Sequence, residues 1–171
     1  MTYTMTSMNT VLIAEEQAIQ LLGGYSSDFT IPVDPDELAV ALGIRVEYAV
    51  LPVDESGKIT MSEEQSPVIT INRSDTENRQ RFTCAHEIGH YVRNRELGRT
   101  TSSVDYRSTL AGVGIDSEEI FANQFAAALL MPAVEVKRIS DDGWGVDQMA
   151  RHFVTSLLAM ELRLKNLRIS R

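Results

Sequence analysis

The sequence predicts an α+β domain: helices at the N-terminal end, a small sheet in the middle, then a run of helices. Three observations lead there. "VDPDELAVALGIRV" is a helix with both ends marked, three short segments rich in β-branched residues follow it, and helical spacing returns from Ser74 onward. A chain of 171 residues is long enough to bury one proper core.

Residues 1–9 are polar and lack a period, which reads as a flexible tail. From Thr10 to Leu22, Val11, Ala14, Ala18, Leu21 and Leu22 fit one helical face, and Gly23-Gly24 should end it. In the next helix Asp34 is the N-cap, Pro35 sits at the first helical position, Glu37 completes a capping box and Gly43 stops the run. Strands are expected over Ile44–Leu51, Lys58–Met61 and Pro67–Arg73, with "DESGK" and "SEEQS" as turns. They would make a small, mostly antiparallel sheet of three strands.

A helix then starts near Ser74 or Asp75 and carries "HEIGH". Glu96 to Asp116 has scattered Gly, Ser and Thr and reads as a long loop with room for a short strand; such loops often serve function. Further helices are expected over Ser117–Leu130, Pro132–Ile139, Asp147–Phe153 and Ser156–Leu167. Residues 10–140 form the main domain in this reading, and 141–171 a C-terminal helical subdomain packed on it. That last part has the outline of a helix-turn-helix, but leucines dominate it and the net charge is −8. Packing or substrate docking is therefore expected of it, and direct nucleic-acid binding is not.

Cys84 is the only cysteine, so no intrachain disulfide forms and a reducing compartment suits the chain. The N-terminus lacks a basic region and an apolar signal core. The longest apolar run, "FAAALLM", falls well short of the roughly 20 residues of a membrane span. A cytoplasmic protein with no membrane partner is expected.

The chemistry concentrates in "RFTCAHEIGHYV". Side chains four apart on a helix share a face, so His86 and His90 can converge on one divalent ion. Glu87 is rotated beside that face, close enough to hold water without ligating the ion. A divalent ion there lowers the pKa of water from 15.7 to about 7; Glu87 takes the proton and passes it to a leaving amine. Gly89 sits mid-helix, where it costs about 0.8–1 kcal/mol relative to alanine, so a close-packed neighbour is expected on its face.

Catalytic zinc usually takes three protein ligands. "DSEEIFANQFAAALLMP" offers Glu119, with Asn123 on the same face to accept from the distal N–H of His86, and an Ala122/Ala126 strip for close approach to Gly89. Glu118 is the rival ligand, and Glu119 could instead cap its own helix with Asp116. Zn2+ fits such a ligand set first, with Mn2+ also suited.

"RQRFTCAHEIGHYV" and "EIFANQFAAALLMP", preceded by "VDPDELAVALGIRV" and "ITINR", together resemble the ImmA/IrrE family of metallo-endopeptidases. The resemblance runs from about Asp34 to Leu167 and rests on several motifs in order. It implies a zincin-like fold, a metal held by His86, His90 and Glu119, and Glu87 as base. It also implies a substrate: an XRE-type helix-turn-helix repressor or antitoxin-like protein, often encoded nearby. The rival is a regulator that keeps this scaffold but binds its repressor without hydrolysis. One departure is Ala128, where the family commonly carries an acid.

Tyr106, Arg107 and His152 are the candidates for oxyanion or substrate contacts. Tyr91 is expected to pack, and Cys84, off the metal face, to act as a small buried hydrophobe.

Overall fold

The computed structural model describes residues 5–25, 30–62, 64–100, 103–106 and 117–169. In chain order they form α1 (Met5–Tyr25), α2 (Pro35–Ala41), β1 (Arg45–Ala49), β2 (Glu55–Thr60), β3 (Val68–Asn72), α3 (Glu77–Glu96), β4 (Ser103–Tyr106), α4 (Ser117–Leu130), α5 (Ala133–Asp141), α6 (Val146–Phe153) and α7 (Leu157–Asn166). The mixed α+β composition is as the sequence predicts, and three details differ.

The first is α1, which begins at Met5 rather than Thr10 and continues through Gly23 and Gly24. Ala14, Ala18 and Leu22 are buried on the side that packs against α4. A long tertiary contact of this kind outweighs the helix-weakening glycines. The second is the sheet, which has four strands in the order β1-β3-β2-β4. β2 runs antiparallel to β3 and β4, but β1 pairs with β3 in parallel, Arg45 opposite Val68. Two chain reversals bring β3 back to the direction of β1, and β3 then joins it rather than β2 doing so.

The third difference is that β2 starts at Glu55, so Gly57 lies inside a strand instead of a turn. A Cβ at Gly57 would collide with Thr83 Cγ2 and lie 2.9 Å from the Thr70 carbonyl oxygen. Glycine there lets α3 lie close on the sheet. At α2 the expected N-cap and glycine stop are present: the Asp34 carboxylate accepts from the Asp36 and Glu37 N–H groups, and Gly43 adopts φ +77°, whereas Glu37 contributes its backbone N–H to the cap and not the side-chain bond of a capping box.

These contacts make α3 the centre of the fold. One side faces β2 and β3, where Ile59, Ile69 and Ile71 are buried; another faces α4, with Phe121 and Phe125 buried. Every residue from Thr83 to His90 is consequently buried. A helix covered on several sides shows little amphipathic period, so α3 is legible from its motif and not from its hydrophobic pattern.

The turn from β3 into α3 is fixed by polar side chains. The buried Asn72 amide donates to the Glu55 carbonyl at 2.8 Å, and its oxygen accepts from Ser74 N–H at 3.1 Å. Gln80 reaches back to donate to the Asp75 and Arg73 carbonyls at 2.9 and 3.1 Å. Elsewhere in the fold, Arg163 of α7 donates to both carboxylate oxygens of Glu15 on α1, at 2.7 and 2.6 Å, and to the Met131 carbonyl at 2.9 Å. Arg163 is 2% exposed, so this is not the solvated helix-end charge that its position in the sequence suggests. Among the described residues, no helix is long and apolar enough to cross a membrane.

Candidate metal centre

His86 and His90 occupy successive turns of the buried middle of α3, and Glu119 sits in the first turn of α4. Close approach of the two helices brings them together. A Cβ added to Gly89 would lie 3.1 Å from Ala122 Cα and 3.2 Å from Phe125 Cδ1. The glycine that looks costly in a helix therefore admits α4, and with it Glu119.

One donor atom from each of His86, His90 and Glu119 lies within 4.8 Å of the others, so the three can hold a metal ion. The two histidine Nε2 atoms are 3.0 Å apart. Glu119 faces both, with Oε1 at 3.3 Å from His90 Nε2 and Oε2 at 3.6 Å from His86 Nε2. On the far side of its ring, His86 Nδ1 stands 3.2 Å from Asn123 Oδ1. An amide oxygen only accepts, so Nδ1 donates and the Nε2 lone pair is left facing the other two donors.

The electrostatics agree with a cation site. Burial, and then the neighbouring His90, lower the pKa of His86 from 6.5 to about 3, keeping it a neutral ligand at pH 7. A hydrogen bond from His90, opposed by partial burial, holds the Glu119 carboxyl below the usual carboxylate range. The neutral His86 imidazole, the His90 imidazole beside it and the Glu119 carboxylate bring their donor atoms together, a set that fits a divalent ion. Glu87 is fully buried, directly after His86 on α3.

The rival ligand is turned elsewhere: Glu118 lies 3.8 Å from Arg93 Nε and 3.7 Å from Arg99 Nη1. Tyr91 packs against the core edge, with the Arg95 guanidinium 5.7 Å from its ring centroid. Cys84 is completely buried, and desolvation followed by Asp36 raises its thiol pKa well above the ordinary value. Ala128, the departure from the family pattern, is fully buried in the core.

The structure does not bring His152 into the cluster. It faces Glu135 Oε1 at 3.3 Å, and its ring packs edge-on to Trp144 and Phe153. Tyr106 ends β4, but its side chain lies outside the described residues, as does all of Arg107.

A second feature adjoins the cluster. A cleft of about 450 Å³ runs between the first half of α3, α4 and α7, with Arg79, Phe82, Asn123, Met131 and Leu162 in its walls. The sequence gives little warning of Arg79. It lies seven residues before His86 and thus near the same helix face, but a half-buried arginine in a polar first turn carries no signal of its own.

The model of the IrrE N-terminal-like domain of the Peptidase M78 family matches residues 39–165. The chain belongs to this family. No curated protein sequence matches it. Among solved structures, a Mycobacterium tuberculosis transcriptional regulator is similar in fold, with a TM-score of 0.61 at 15% identity. That likeness covers 92% of this chain and 46% of the regulator, so the chain spans about half the length of its solved relative.

Proposed function

We propose that this protein is a metal-dependent endopeptidase that hydrolyses one peptide bond of a specific regulatory protein, an XRE-type helix-turn-helix repressor or an antitoxin-like protein, in the cytoplasm. The observation that carries the reading is the convergence of His86, His90 and Glu119, with Glu87 next to them on the same helix. Family membership supports the peptidase class, and the motifs that resemble ImmA/IrrE proteins supply the substrate.

A divalent ion in this site, zinc by ligand preference and manganese as the second choice, supplies Lewis acidity that brings the pKa of water down to about 7. Glu87 accepts the proton of the attacking water and returns it to the leaving amine. Asn123 keeps His86 in the tautomer whose Nε2 lone pair faces the other donors. Residues 141–171 are read as a helical subdomain that packs on the peptidase domain.

The test incubates purified protein and Zn2+ with the helix-turn-helix repressor encoded beside it, wild type against Glu87→Gln. Cleavage by the wild type alone is expected. Cleavage that survives in the variant would remove Glu87 as base. Stable complex formation without cleavage in either protein would favour the non-hydrolytic regulator.

A further inference from the structure

β1 is an edge strand: among the described residues β3 is the strand it pairs with, on one side. The Arg45 N–H donates to the Pro67 carbonyl, and the Ala49 carbonyl accepts from the Arg73 N–H. Residues 45, 47 and 49 therefore turn their backbone groups toward β3. By the alternation of a strand, Val46 and Tyr48 turn theirs outward. An outward row of this kind is a template for another strand.

Three properties of this edge select its partner. The first is charge. Val46 and Tyr48 stand opposite the buried Ile69 and Ile71, so Arg45 and Glu47 project from the other face of the sheet. They are 3.1 Å apart, with side chains 68% and 49% exposed. A strand with both signs two residues apart complements an antiparallel copy of itself. The second is apolar surface: Val40 lies just before β1, Val50 and Val53 just after it, and they are 66%, 74% and 84% exposed. A two-fold axis brings the end of one β1 beside the start of the other, and so Val50 toward the partner's Val40. The third is rigidity. Asn72 Nδ2 donates to the Leu51 and Pro52 carbonyls at 3.5 and 3.4 Å, fixing the loop between Val50 and Val53 before any partner arrives.

We propose that β1 pairs antiparallel with β1 of a second copy across a two-fold axis, joining two sheets into one. The register follows from the same residues. Centring on Glu47 sets two like charges opposite each other. Centring on Tyr48 requires its carbonyl, which already accepts from Arg73 Nη2 at 2.8 Å. Centring on Val46 meets neither obstacle. The Val46 groups then bond reciprocally, and each Arg45 faces the partner's Glu47 in a pair without backbone bonds, where side chains are closest. The Ile44 N–H falls opposite the partner's Tyr48 carbonyl, and both groups are already satisfied within their own chains, by the Ala39 carbonyl at 2.9 Å and by Arg73. Because both copies use the same patch, association closes at the dimer. The proposal goes beyond the peptidase reading and does not rest on it.

The experiment measures the mass of the full, metal-free chain by sedimentation velocity up to about 0.5 mM, a range that captures weak specific contacts. Wild type should approach the mass of a dimer as concentration rises. Arg45→Glu and Glu47→Arg should each raise the dissociation constant at least about tenfold, since like charges then face each other across the pairing. Mixed in equal amounts, the two variants should form a heterodimer, one strand carrying only acids and the other only bases. Both side chains are exposed, so each variant should keep the parent circular dichroism and, in dilute solution, the parent melting temperature. Hydrogen exchange at the Val46 and Tyr48 amides should slow as concentration rises, while the Arg45 and Glu47 amides, turned to β3, keep their rates.

A monomer throughout the range would overturn the proposal. So would a dimer indifferent to both charge variants, variants that stay apart when mixed, or a Val46 amide that exchanges equally fast at all concentrations. A dimer broken by Leu162→Asp and not by the β1 variants would also overturn it, and would assign the contact to α7.

Discussion

In its first turn α4 presents Glu119 to His86 and His90; just beyond its last turn the Met131 carbonyl accepts from Arg163, whose remaining nitrogens meet Glu15. Both clusters are largely buried, polar and assembled from distant parts of the chain. They differ in how charge and donors are balanced. Around Arg163 each nitrogen has an oxygen partner, and the cation faces one carboxylate. Around His86, potential ligand atoms from three side chains converge while the His86 tautomer is fixed from behind by Asn123. The first arrangement is complete as it stands, and the second suits a guest cation. Burial of polar groups alone does not mark a site; several potential ligand atoms aimed at one place do.

The largest effect that separates the two clusters is on activity. Glu87→Gln should reduce repressor cleavage by about 10²–10⁴, the usual weight of general acid–base catalysis, while Zn2+ binding by equilibrium dialysis stays intact. Glu119→Ala should weaken Zn2+ binding by more than the tenfold to hundredfold expected for Asn123→Ala, which only loosens the orientation of His86. Glu118→Ala should leave metal affinity unchanged, and a loss equal to that of Glu119→Ala would reopen the choice of ligand.

At the other cluster the readout changes from activity to stability. Arg163→Met should destabilise the fold by about 3 kcal/mol in urea denaturation, because a partner carboxylate and a carbonyl lose their donor. Its metal affinity, measured on the folded fraction, should match wild type. Gly89→Ala lies between the two clusters in effect. Crowding against Ala122 and Phe125 costs about 1–3 kcal/mol and the gain in helix propensity returns about 1, leaving a modest loss of stability and a shifted Glu119.

A further effect is pH dependence. Unfolded, His86 takes up a proton near pH 6.5; folded, it does so only near 3. Protonation thus favours the unfolded chain, and the contribution of His86 to stability, full above pH 6.5, is lost as pH falls from 6.5 toward 3. Metal-free protein should show a lower urea midpoint at pH 5 than at pH 7, and His86→Gln should flatten the difference.

Much of this was readable in the chain, and the reasons are local. The i,i+4 spacing of His86 and His90, the Glu119/Asn123 pair one turn apart and the Asp34-Pro35 helix start all act over a few residues, where backbone geometry dictates which side chains share a face. Gly89 announced a close neighbour because its cost in a helix asks for one. The start of α1, the parallel β1–β3 pair and the extension of β2 through Gly57 were not readable. Each depends on what packs alongside: α4 for α1, β3 for β1, Thr83 for Gly57.

By itself, then, the sequence determined which helix faces carry His86 with His90 and Glu119 with Asn123, and that Glu87 lies between the two histidines, since helical periodicity converts spacing into direction. Only the tertiary structure decided that Glu119 and not Glu118 meets the histidines, that Arg163 is locked on Glu15, and that Arg79 of α3 lines a cleft shared with α4 and α7. Those outcomes turn on the crossing of helices far apart in sequence, which side-chain volumes at Gly89, Ala122 and Phe125 set and no local spacing encodes.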